Sequence, residues 1–198
     1  MKLQIVQVGE EVLRGQAREL SRQEILSASI QELIEQMRET MRSAPGVGLA
    51  APQVGMPLQL AVIEDREEYH AKLTPERLVE RQRRPVPFHV LINPQIVARG
   101  DSTVEFFEGC LSVTGFAAVV PRARTVTVEY LDERAEPWRV EAAGWYARIL
   151  QHEIDHLNGV LYVDRMISRT FTTVEHLERL WKDLPPSAVL ERLKRTVS

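Results

Sequence analysis

Residues 151–159 read QHEIDHLNG, and this stretch contains the pattern His-Glu-x-x-His at His152, Glu153 and His156. Residues four positions apart lie on the same face of an α-helix, one turn above the other. Two imidazoles placed in this way could bind one metal ion, with the glutamate beside them as a general base. The alternative is a pair of ordinary core histidines with a surface glutamate between them.

The residues around this pattern predict a helix from about residue 142 to residue 157. Trp145 and Ile149 precede the two histidines at helical steps, so that all four side chains lie on one apolar stripe. Asn158-Gly159 is typical of a helix C-terminus. The metal-binding pattern therefore belongs to a helix with a buried face and a defined end.

Length and composition are those of an ordinary globular protein. With 198 residues, 44% hydrophobic and 27% charged, the chain is expected to form a single domain over residues 1–198. A net charge of −3 argues against nucleic-acid binding, and no apolar run approaches membrane-spanning length, so we expect neither as a partner. The N-terminus, MKLQIVQVGEEVL, lacks the features of a secretory signal or transit peptide, and the single cysteine excludes an internal disulfide. We therefore expect a reducing, cytoplasmic location.

The order of elements predicts an α+β fold, with antiparallel sheets packed around the metal-binding helix. A capping box at Ser21 and Glu24 predicts a helix that ends before Pro45-Gly46. Asn93-Pro94 indicates that the strand containing it either lies at a sheet edge or bends. Strands are predicted within 1–20 and at 58–63, 88–97, 116–120, 125–131, 138–141 and 160–163, and helices at 171–181 and 187–194.

Residues 64–87 are a charged insertion and not a second domain. Thr74-Pro75-Glu76 predicts a helix start within it. The basic run RQRR at 81–84 is interpreted as an exposed face, and His70 and His89 as surface or edge residues. Residues 185–198 form a C-terminal tail that begins at Pro185-Pro186.

A glycine-rich segment, PGVGLAAPQVGMP, covers residues 45–57. Its glycines allow tight turns and close approach to another group, and the amide of Gln53 could donate a hydrogen bond into whatever the loop lines. The alternative is a plain turn between a helix and a strand. The segment has no phosphate-loop lysine, which argues against nucleotide binding.

A catalytic metal site usually has three protein ligands and an open position, so two histidines leave this site one ligand short. Downstream, Asp164, Glu175 and His176 match no known zinc-peptidase extension. Upstream, Cys110 is the single cysteine, and a thiolate is a strong ligand for a divalent metal. A buried free cysteine is the alternative. Beside the histidine pair, and next to Gly109, which permits close approach, we favour Cys110 as the third ligand.

Three stretches together resemble the signature motifs of the peptide deformylase family, in the family's order. They are GVGLAAPQ at 46–53, EGCLS at 108–112 and QHEIDH at 151–156, and the resemblance runs from about Val6 to Met166. The segment GWYARILQHEIDHLNGVLYVDRM at 144–166 and the insertion after Glu64 are similar to the organelle-type subgroup. Without a transit peptide, the resemblance implies a bacterial cytosolic member or a processed chain.

The resemblance implies a hydrolase that removes the formyl group from the N-terminal formyl-methionine of newly synthesised polypeptides. It places one divalent metal ion on Cys110, His152 and His156. Metal-bound water would be the nucleophile and Glu153 the general base and acid. Fe²⁺ is the expected native ion, and Zn²⁺, Ni²⁺ or Co²⁺ would suit the same ligands.

The resemblance also implies how the substrate is held. The Gln53 side-chain amide and the Leu111 backbone N–H would stabilise the oxyanion. The backbone of Val47, Gly48 and Gly109 would pair with the extended peptide.

The wall of the methionine pocket would consist of Val47, Trp145, Arg148 and Ile149. Arg148 departs from the aliphatic residue of the better-known bacterial type, and Ala117 departs from an arginine that this type often has. Glu108 is expected to pair with Arg122 behind the cysteine loop, with a simple surface charge as the alternative.

Two other functions are compatible with a His-Glu-x-x-His helix. A general metallopeptidase would need a longer open cleft and usually a downstream third ligand. A non-enzymatic metal module would need four protein ligands and would leave Glu153 without a role. For the deformylase, the expected partners are N-formylmethionyl nascent peptides and the ribosome, which the basic tail could contact.

Overall fold

The structure is a computed structural model that describes residues 2–71 and 73–195. The strands are β1 (Gly48–Ala50), β2 (Leu60–Asp65), β3 (Val86–Arg99), β4 (Thr103–Cys110), β5 (Val113–Ala123), β6 (Thr125–Leu131), β7 (Pro137–Ala143) and β8 (Thr172–Thr173). The α-helices are α1 (Arg22–Ile25), α2 (Ala28–Ser43), α3 (Glu67–His70), α4 (Pro75–Glu80), α5 (Gly144–Leu157), α6 (Tyr162–Arg165), α7 (Val174–His176) and α8 (Pro186–Arg195). Among the described helices, none has the length and apolar character needed to cross a lipid bilayer.

Two antiparallel sheets surround helix α5. One sheet has the strand order β1-β2-β3-β6-β7, and the other has the order β4-β5-β8. Helix α5 contacts strands of both sheets. The predicted α+β fold is therefore confirmed.

The five-stranded sheet is covered on both faces, which explains why β2 has an almost wholly apolar sequence. Leu60 and Val62 pack in a cluster with the apolar stripe of α2, whereas Ala61 and Ile63 pack in a second cluster with α5. Successive residues of a strand point to opposite faces, so both sets must be apolar. The prediction of a buried strand here is confirmed.

The helix that carries the metal-binding pattern has the predicted end. Helix α5 stops at Leu157, Asn158 is its C-cap residue, and Gly159 has a φ of 72°. A Cβ atom at Gly159 would lie 2.4 Å from the carbonyl oxygen of Arg14. Both the backbone conformation and the close approach therefore require glycine at this position.

Strand β3 lies in the middle of the five-stranded sheet, so the edge-strand alternative was wrong and the bend was right. The pairing of β3 with β6 shifts register between Ile92 and Gln95, and Asn93 has a φ of 50°. The Asn93 side chain accepts a hydrogen bond from Leu20 N at 2.9 Å and donates one to Leu20 O at 2.8 Å. The irregularity lets Pro94, which has no N–H, occupy a central strand.

Several other element predictions were wrong because the decisive contacts are with distant segments or with local caps. Residues 2–20 contain no strand, and Val6 and Val8 instead donate single hydrogen bonds to Gln53 O and Ser112 O. The capping box at residue 21 is confirmed, but the helix breaks at residues 26–27, and Ser27 caps a second helix. Residues 162–165 are helical and not a strand, since Asp164 accepts a hydrogen bond from Leu161 N at 2.8 Å.

The C-terminal predictions were partly right. Residues 174–181 are helical, but the helix starts later than predicted because residues 172–173 form β8. Helix α8 confirms the predicted helix at 187–194. The last residues of the predicted tail, 196–198, lie outside the described part of the chain.

The insertion at 64–87 packs more closely than predicted. Thr74 caps α4, as predicted, and residues 82 and 84 are exposed. However, the Arg83 side chain is only 10% exposed, with its Nε 2.7 Å from the buried carboxylate of Asp65, and Arg81 covers the ring of Trp145. His70 is also buried, 3.2 Å from Asp65. The exposed-face interpretation was therefore wrong for Arg81, Arg83 and His70, because a buried carboxylate and an aromatic ring offset their charge and polarity.

We predict that Gly159→Ala lowers the free energy of unfolding by about 1–3 kcal/mol, because a positive φ and a backbone clash both oppose a side chain here. Urea denaturation measures the change. Gly15→Ala is the matched control, since nothing lies within 4 Å of its Cβ position. Equal stabilities of the two variants would contradict this interpretation of the helix end.

Candidate metal centre

The three predicted metal ligands meet in the structure. The ligand atoms of Cys110, His152 and His156 all lie within 4.8 Å of one another, and Cys110 Sγ is 3.2 Å from His156 Nε2. Helix α5 presents the two imidazoles one turn apart, and β4 ends at the cysteine. A register shift between Gly109 and Cys110 turns the thiol out of the regular β4–β5 pairing. The structure therefore places Cys110 beside the histidine pair, where a third ligand is expected.

Glu108 lies behind the cluster and orients one of its ligands. His152 Nδ1 is 3.0 Å from a carboxylate oxygen of Glu108, which leaves Nε2 for the cluster. Arg122 donates two hydrogen bonds of 2.9 Å to the same carboxylate, and Arg148 donates one of 2.6 Å. Burial opposes the charged form of Glu108, but the hydrogen bonds from His152 and Arg122 outweigh it and hold the pKa of Glu108 well below its usual range.

The predicted Glu108–Arg122 pair is thus present and buried, and the surface-charge alternative was wrong. Arg122 also pairs with Asp155, whose carboxylate accepts hydrogen bonds of 2.6 and 2.7 Å from Arg165. This chain of charges ties β5, α5 and α6 together. A carboxylate that holds a metal-ligand histidine is a common feature of protein metal sites.

Glu153 is buried beside the cluster and has an unused oxygen. Its side chain is 4% exposed, and its Oε2 has no hydrogen-bond partner among the described residues. The carboxylate lies against Gly48, where a Cβ atom would be 2.2 Å from Oε1. Burial raises the pKa of Glu153 to about 7. The alternative of a surface glutamate between core histidines was therefore wrong.

The glycine-rich loop places the side-chain amide of Gln53 beside Cys110. Gln53 Oε1 accepts a hydrogen bond of 2.9 Å from Ala50 N, which fixes the direction of the side chain. Its Nε2 lies 3.4 Å from Cys110 Sγ and 3.3 Å from Ser112 Oγ. The loop thus closes one side of the cluster, which a plain turn would not do.

A cavity of about 590 Å³ opens onto these groups. Of the residues that the sequence assigned to the site, all except His156 line the cavity: Val47, Gly48, Gln53, Gly109, Cys110, Leu111, Trp145, Arg148, Ile149, His152 and Glu153. His156 is buried behind it. Arg148 borders the cavity, but its guanidinium donates to Glu108 and to the carbonyl oxygens of Val104 and Val120.

Sequence reasoning missed a second group of cavity residues. Phe116 and Val174 line the outer part, and Phe116 stacks on Phe171 with ring centroids 5.0 Å apart and planes 8° from parallel. Pairing of β8 with β5 places Ala117 opposite Thr172, which buries the alanine that departs from the bacterial type. No local pattern reveals this wall, because it depends on a two-residue strand.

Missed residues also lie closer to the cluster. Arg83 lines the cavity from the insertion, and Ser112 N lies 3.4 Å from Cys110 Sγ. The downstream residues Asp164, Glu175 and His176 are not part of the cluster: Asp164 pairs with Arg14, and His176 contacts Thr173.

The residues of the cluster fit a divalent metal ion. One sulfur and two nitrogen atoms converge from two elements, and the buried His156 Nδ1 has no partner in the described residues that would draw its ring elsewhere. Three protein ligands beside a cavity match the pattern of a catalytic site with an open position and not that of a closed structural site. This ligand count argues against the non-enzymatic metal module.

Comparison with known proteins agrees with the geometry. The family model described as Polypeptide deformylase matches residues 2–171. The chain belongs to the peptide deformylase family. The family resemblance found in the sequence is therefore confirmed.

Relatives in this family come from plants and bacteria. Peptide deformylase 1A, chloroplastic, of Solanum lycopersicum is 49% identical over 96% of this chain, and the chain spans 66% of that relative's length. Peptide deformylase 1 of Bifidobacterium longum is 43% identical over 96% of this chain and 85% of its own. The Met-Ala-Ser-bound crystal structure of a class I type b peptide deformylase from Acinetobacter baumannii is 33% identical, with a TM-score of 0.75 over 84% of this chain and 99% of that one.

We predict that Glu108→Gln weakens metal binding by about 10–100-fold, because a neutral amide no longer holds His152 between two arginines. Competition with a chromophoric chelator measures the zinc affinity, on protein whose circular dichroism shows that it is folded. Glu105→Gln is the control, since this residue lies exposed on the same strand. Unchanged affinity in Glu108→Gln would contradict the orienting role of the carboxylate.

Proposed function

We propose that residues 1–198 act as one catalytic domain that hydrolyses the N-terminal formyl group of formyl-methionyl peptides. The observation that carries this proposal is the Cys110–His152–His156 cluster, which opens onto a cavity beside the buried Glu153. Family membership supports the substrate class, and so does the Met-Ala-Ser peptide bound to the Acinetobacter relative.

The metal ligands in this proposal are Cys110, His152 and His156. A divalent ion bound by these residues would supply Lewis-acid activation of water and of the formyl carbonyl. Glu108 keeps the His152 ring in the ligating orientation through Nδ1.

Glu153 is the proposed general base and acid. Its unpartnered Oε2 is free to accept the proton of the attacking water, and the same oxygen then delivers it to the leaving amine. Gly48 has no side chain, which lets this carboxylate lie directly against the backbone of β1, where the substrate backbone is proposed to pair.

Gln53 and Leu111 are the proposed donors to the oxyanion that forms at the formyl carbon. The Gln53 amide already points at the cysteine, because Ala50 N holds its oxygen on the other side. The Leu111 backbone follows the cysteine directly and lines the same cavity. Removing one oxyanion donor typically costs about 10²–10³-fold in rate.

The sheet topology supports binding of an extended peptide. β1 is an edge strand of the five-stranded sheet, β4 is an edge strand of the other, and residues of both line the cavity. A peptide between Val47-Gly48 and Gly109 would meet a strand edge on either side, which fixes its backbone but leaves later side chains unrestricted. The methionine side chain would enter between Val47, Trp145, Arg148 and Ile149.

We predict that the metal-loaded protein releases formate from formyl-Met-Ala-Ser and does not cleave an unblocked peptide internally. Formate is measured with formate dehydrogenase, and peptide products by mass spectrometry. Internal cleavage of the unblocked peptide without formate release would identify a general metallopeptidase and overturn the proposal.

Glu153→Ala is expected to retain the metal and to lose formate release by about 10²–10⁴-fold, because the proton acceptor is gone. Metal analysis and the formate assay on the same sample separate the two effects. Glu105→Ala, at an exposed position, serves as the control. Turnover of Glu153→Ala near the wild-type rate would show that another group moves the proton.

Fe²⁺ is the proposed native ion because the family resemblance implies it, although one thiolate and two imidazoles also suit Zn²⁺, Ni²⁺ or Co²⁺ and intrinsic affinity favours zinc over ferrous iron. Protein purified under anaerobic conditions should contain iron and lose activity in air, whereas a nickel-loaded sample should keep it. Zinc as the dominant metal in fully active anaerobic protein would contradict this assignment.

A cytoplasmic location and contact with the ribosome complete the proposal. The bacterial source of the Bifidobacterium relative favours a cytoplasmic location, whereas the Solanum relative is named as chloroplastic. The exposed basic residues Arg192 and Lys194 on α8 support the contact. The two ideas are tested by cell fractionation and by ribosome co-sedimentation of a variant with both residues changed to Glu. Recovery in an organelle, or unchanged co-sedimentation of the variant, would contradict them in turn.

A further inference from the structure

Trp145 stands in the first turn of α5 and forms part of the cavity wall. Its indole Nε1 is buried and has no hydrogen-bond partner among the described residues. The orientation of this ring therefore depends on packing and not on a hydrogen bond.

Arginine side chains supply that packing. The guanidinium carbon of Arg81 lies 4.7 Å from the Trp145 ring centroid, and those of Arg83 and Arg148 lie 5.3 and 5.9 Å away. Phe106 meets the same ring edge-on, with centroids 6.0 Å apart. A cation near the face of an indole is attracted by its electron-rich surface, and the planar guanidinium adds stacking.

The arginines differ in how their charge is balanced. Arg148 pairs with Glu108, and Arg83 pairs through two nitrogen atoms with Asp65, at 2.7 and 2.8 Å. The salt bridges of the described residues include none to Arg81. The Arg81 guanidinium instead lies over the rings of Trp145 and Phe106, at 4.7 and 5.6 Å from their centroids.

The backbone of the insertion also packs closely against the start of α5. Gly144 has a φ of 61°, and a Cβ atom there would lie 2.5 Å from Gln82 Cβ and 2.7 Å from Arg81 O. The insertion therefore cannot shift relative to α5 without breaking this contact. This contact fixes Arg81 next to the first turn of α5, where Trp145 lies.

We propose that Arg81 is a positioning residue that holds the Trp145 indole as the rigid wall of the pocket for the first side chain. Through it, the insertion at 64–87 selects an unbranched side chain at the first position of the substrate. This inference rests on the proposed function, because it concerns which formylated peptides the site accepts. Arg83 supports the same ring from the cavity side and is itself fixed by Asp65.

Substrate preference tests the proposal. The ratio of kcat/KM for formyl-Met-Ala-Ser to that for formyl-Phe-Ala-Ser is measured for the wild type, Arg81→Ala and Arg81→Lys. Arg81→Ala is expected to lower the ratio about tenfold, mainly through KM, because the freed indole lets a bulkier ring enter. Arg81→Lys should recover only part of the ratio, since an ammonium group does not stack. Arg84→Ala, in the same basic run but exposed, should leave the ratio unchanged.

A spectroscopic measurement is independent of turnover. The chain has three tryptophans, so Trp138→Phe with Trp181→Phe leaves Trp145 as the only emitter. In that background, Arg81→Ala should raise acrylamide quenching of Trp145 about twofold or more relative to Arg84→Ala.

The outcomes distinguish failure of the proposed function from failure of the positioning role of Arg81. If the wild type released no formate while Arg81→Ala still exposed Trp145, the proposed function would fail but the positioning role would stand. An unchanged substrate ratio in folded, metal-loaded Arg81→Ala, with unchanged quenching, would overturn the positioning role. If Arg81→Lys kept the wild-type kcat/KM ratio, stacking of the guanidinium on the indole would be excluded as the cause of the substrate preference.

Discussion

The site depends on the hydrogen bonds that the buried carboxylate of Glu108 accepts. This carboxylate lies at the end of β4, beside the cysteine, and receives hydrogen bonds from Arg122 on β5 and from Arg148 and His152 on α5. Burying a charge is costly unless the charge is fully paired, and removing one partner of such a network typically costs about 3–5 kcal/mol. The network therefore fixes β4 against α5, and that contact brings the thiol to the two imidazoles.

Each of the two sheets supplies a different part of the site. The five-stranded sheet packs against α5 and ends at the edge strand β1, which contains Gly48. The three-stranded sheet supplies the cysteine and the outer aromatic wall at Phe116. The cavity lies where an edge strand of each sheet approaches α5, so an extended ligand can use backbone groups of both. A site built from strand edges and one helix is held more precisely than a site built from loops alone.

Local chemistry made much of this architecture predictable. The helical placement of His152 and His156, the glycine at position 159 and the capping box at Ser21 all depend on residues within one or two helical turns. The structure has the helix, its end and the capping box as predicted, and it brings the two imidazoles together. Cys110 was found because a site with two ligands needs a third. The family motifs then identified the groups around the cavity, which the structure brings together.

The errors have a common physical cause, which is that burial of polar groups depends on partners far away in sequence. Arg81 and Arg83 belong to a run of charges that usually faces water, but Trp145 and Asp65 cover them. His70 was predicted to be a surface or edge residue, but it is buried beside Asp65, whose carboxylate is itself buried. The aromatic wall at Phe116 requires β8, whose two residues carry no recognisable strand pattern.

The central claim is that one thiolate and two imidazoles hold a single ion with an open position toward Glu153. X-ray absorption spectroscopy of the zinc-loaded protein tests this most directly. The expected spectrum contains one sulfur scatterer at about 2.3 Å and two imidazole nitrogens at about 2.0–2.1 Å, together with one further light atom from solvent. A spectrum without sulfur, or one with a fourth protein ligand in place of solvent, would contradict the proposed centre.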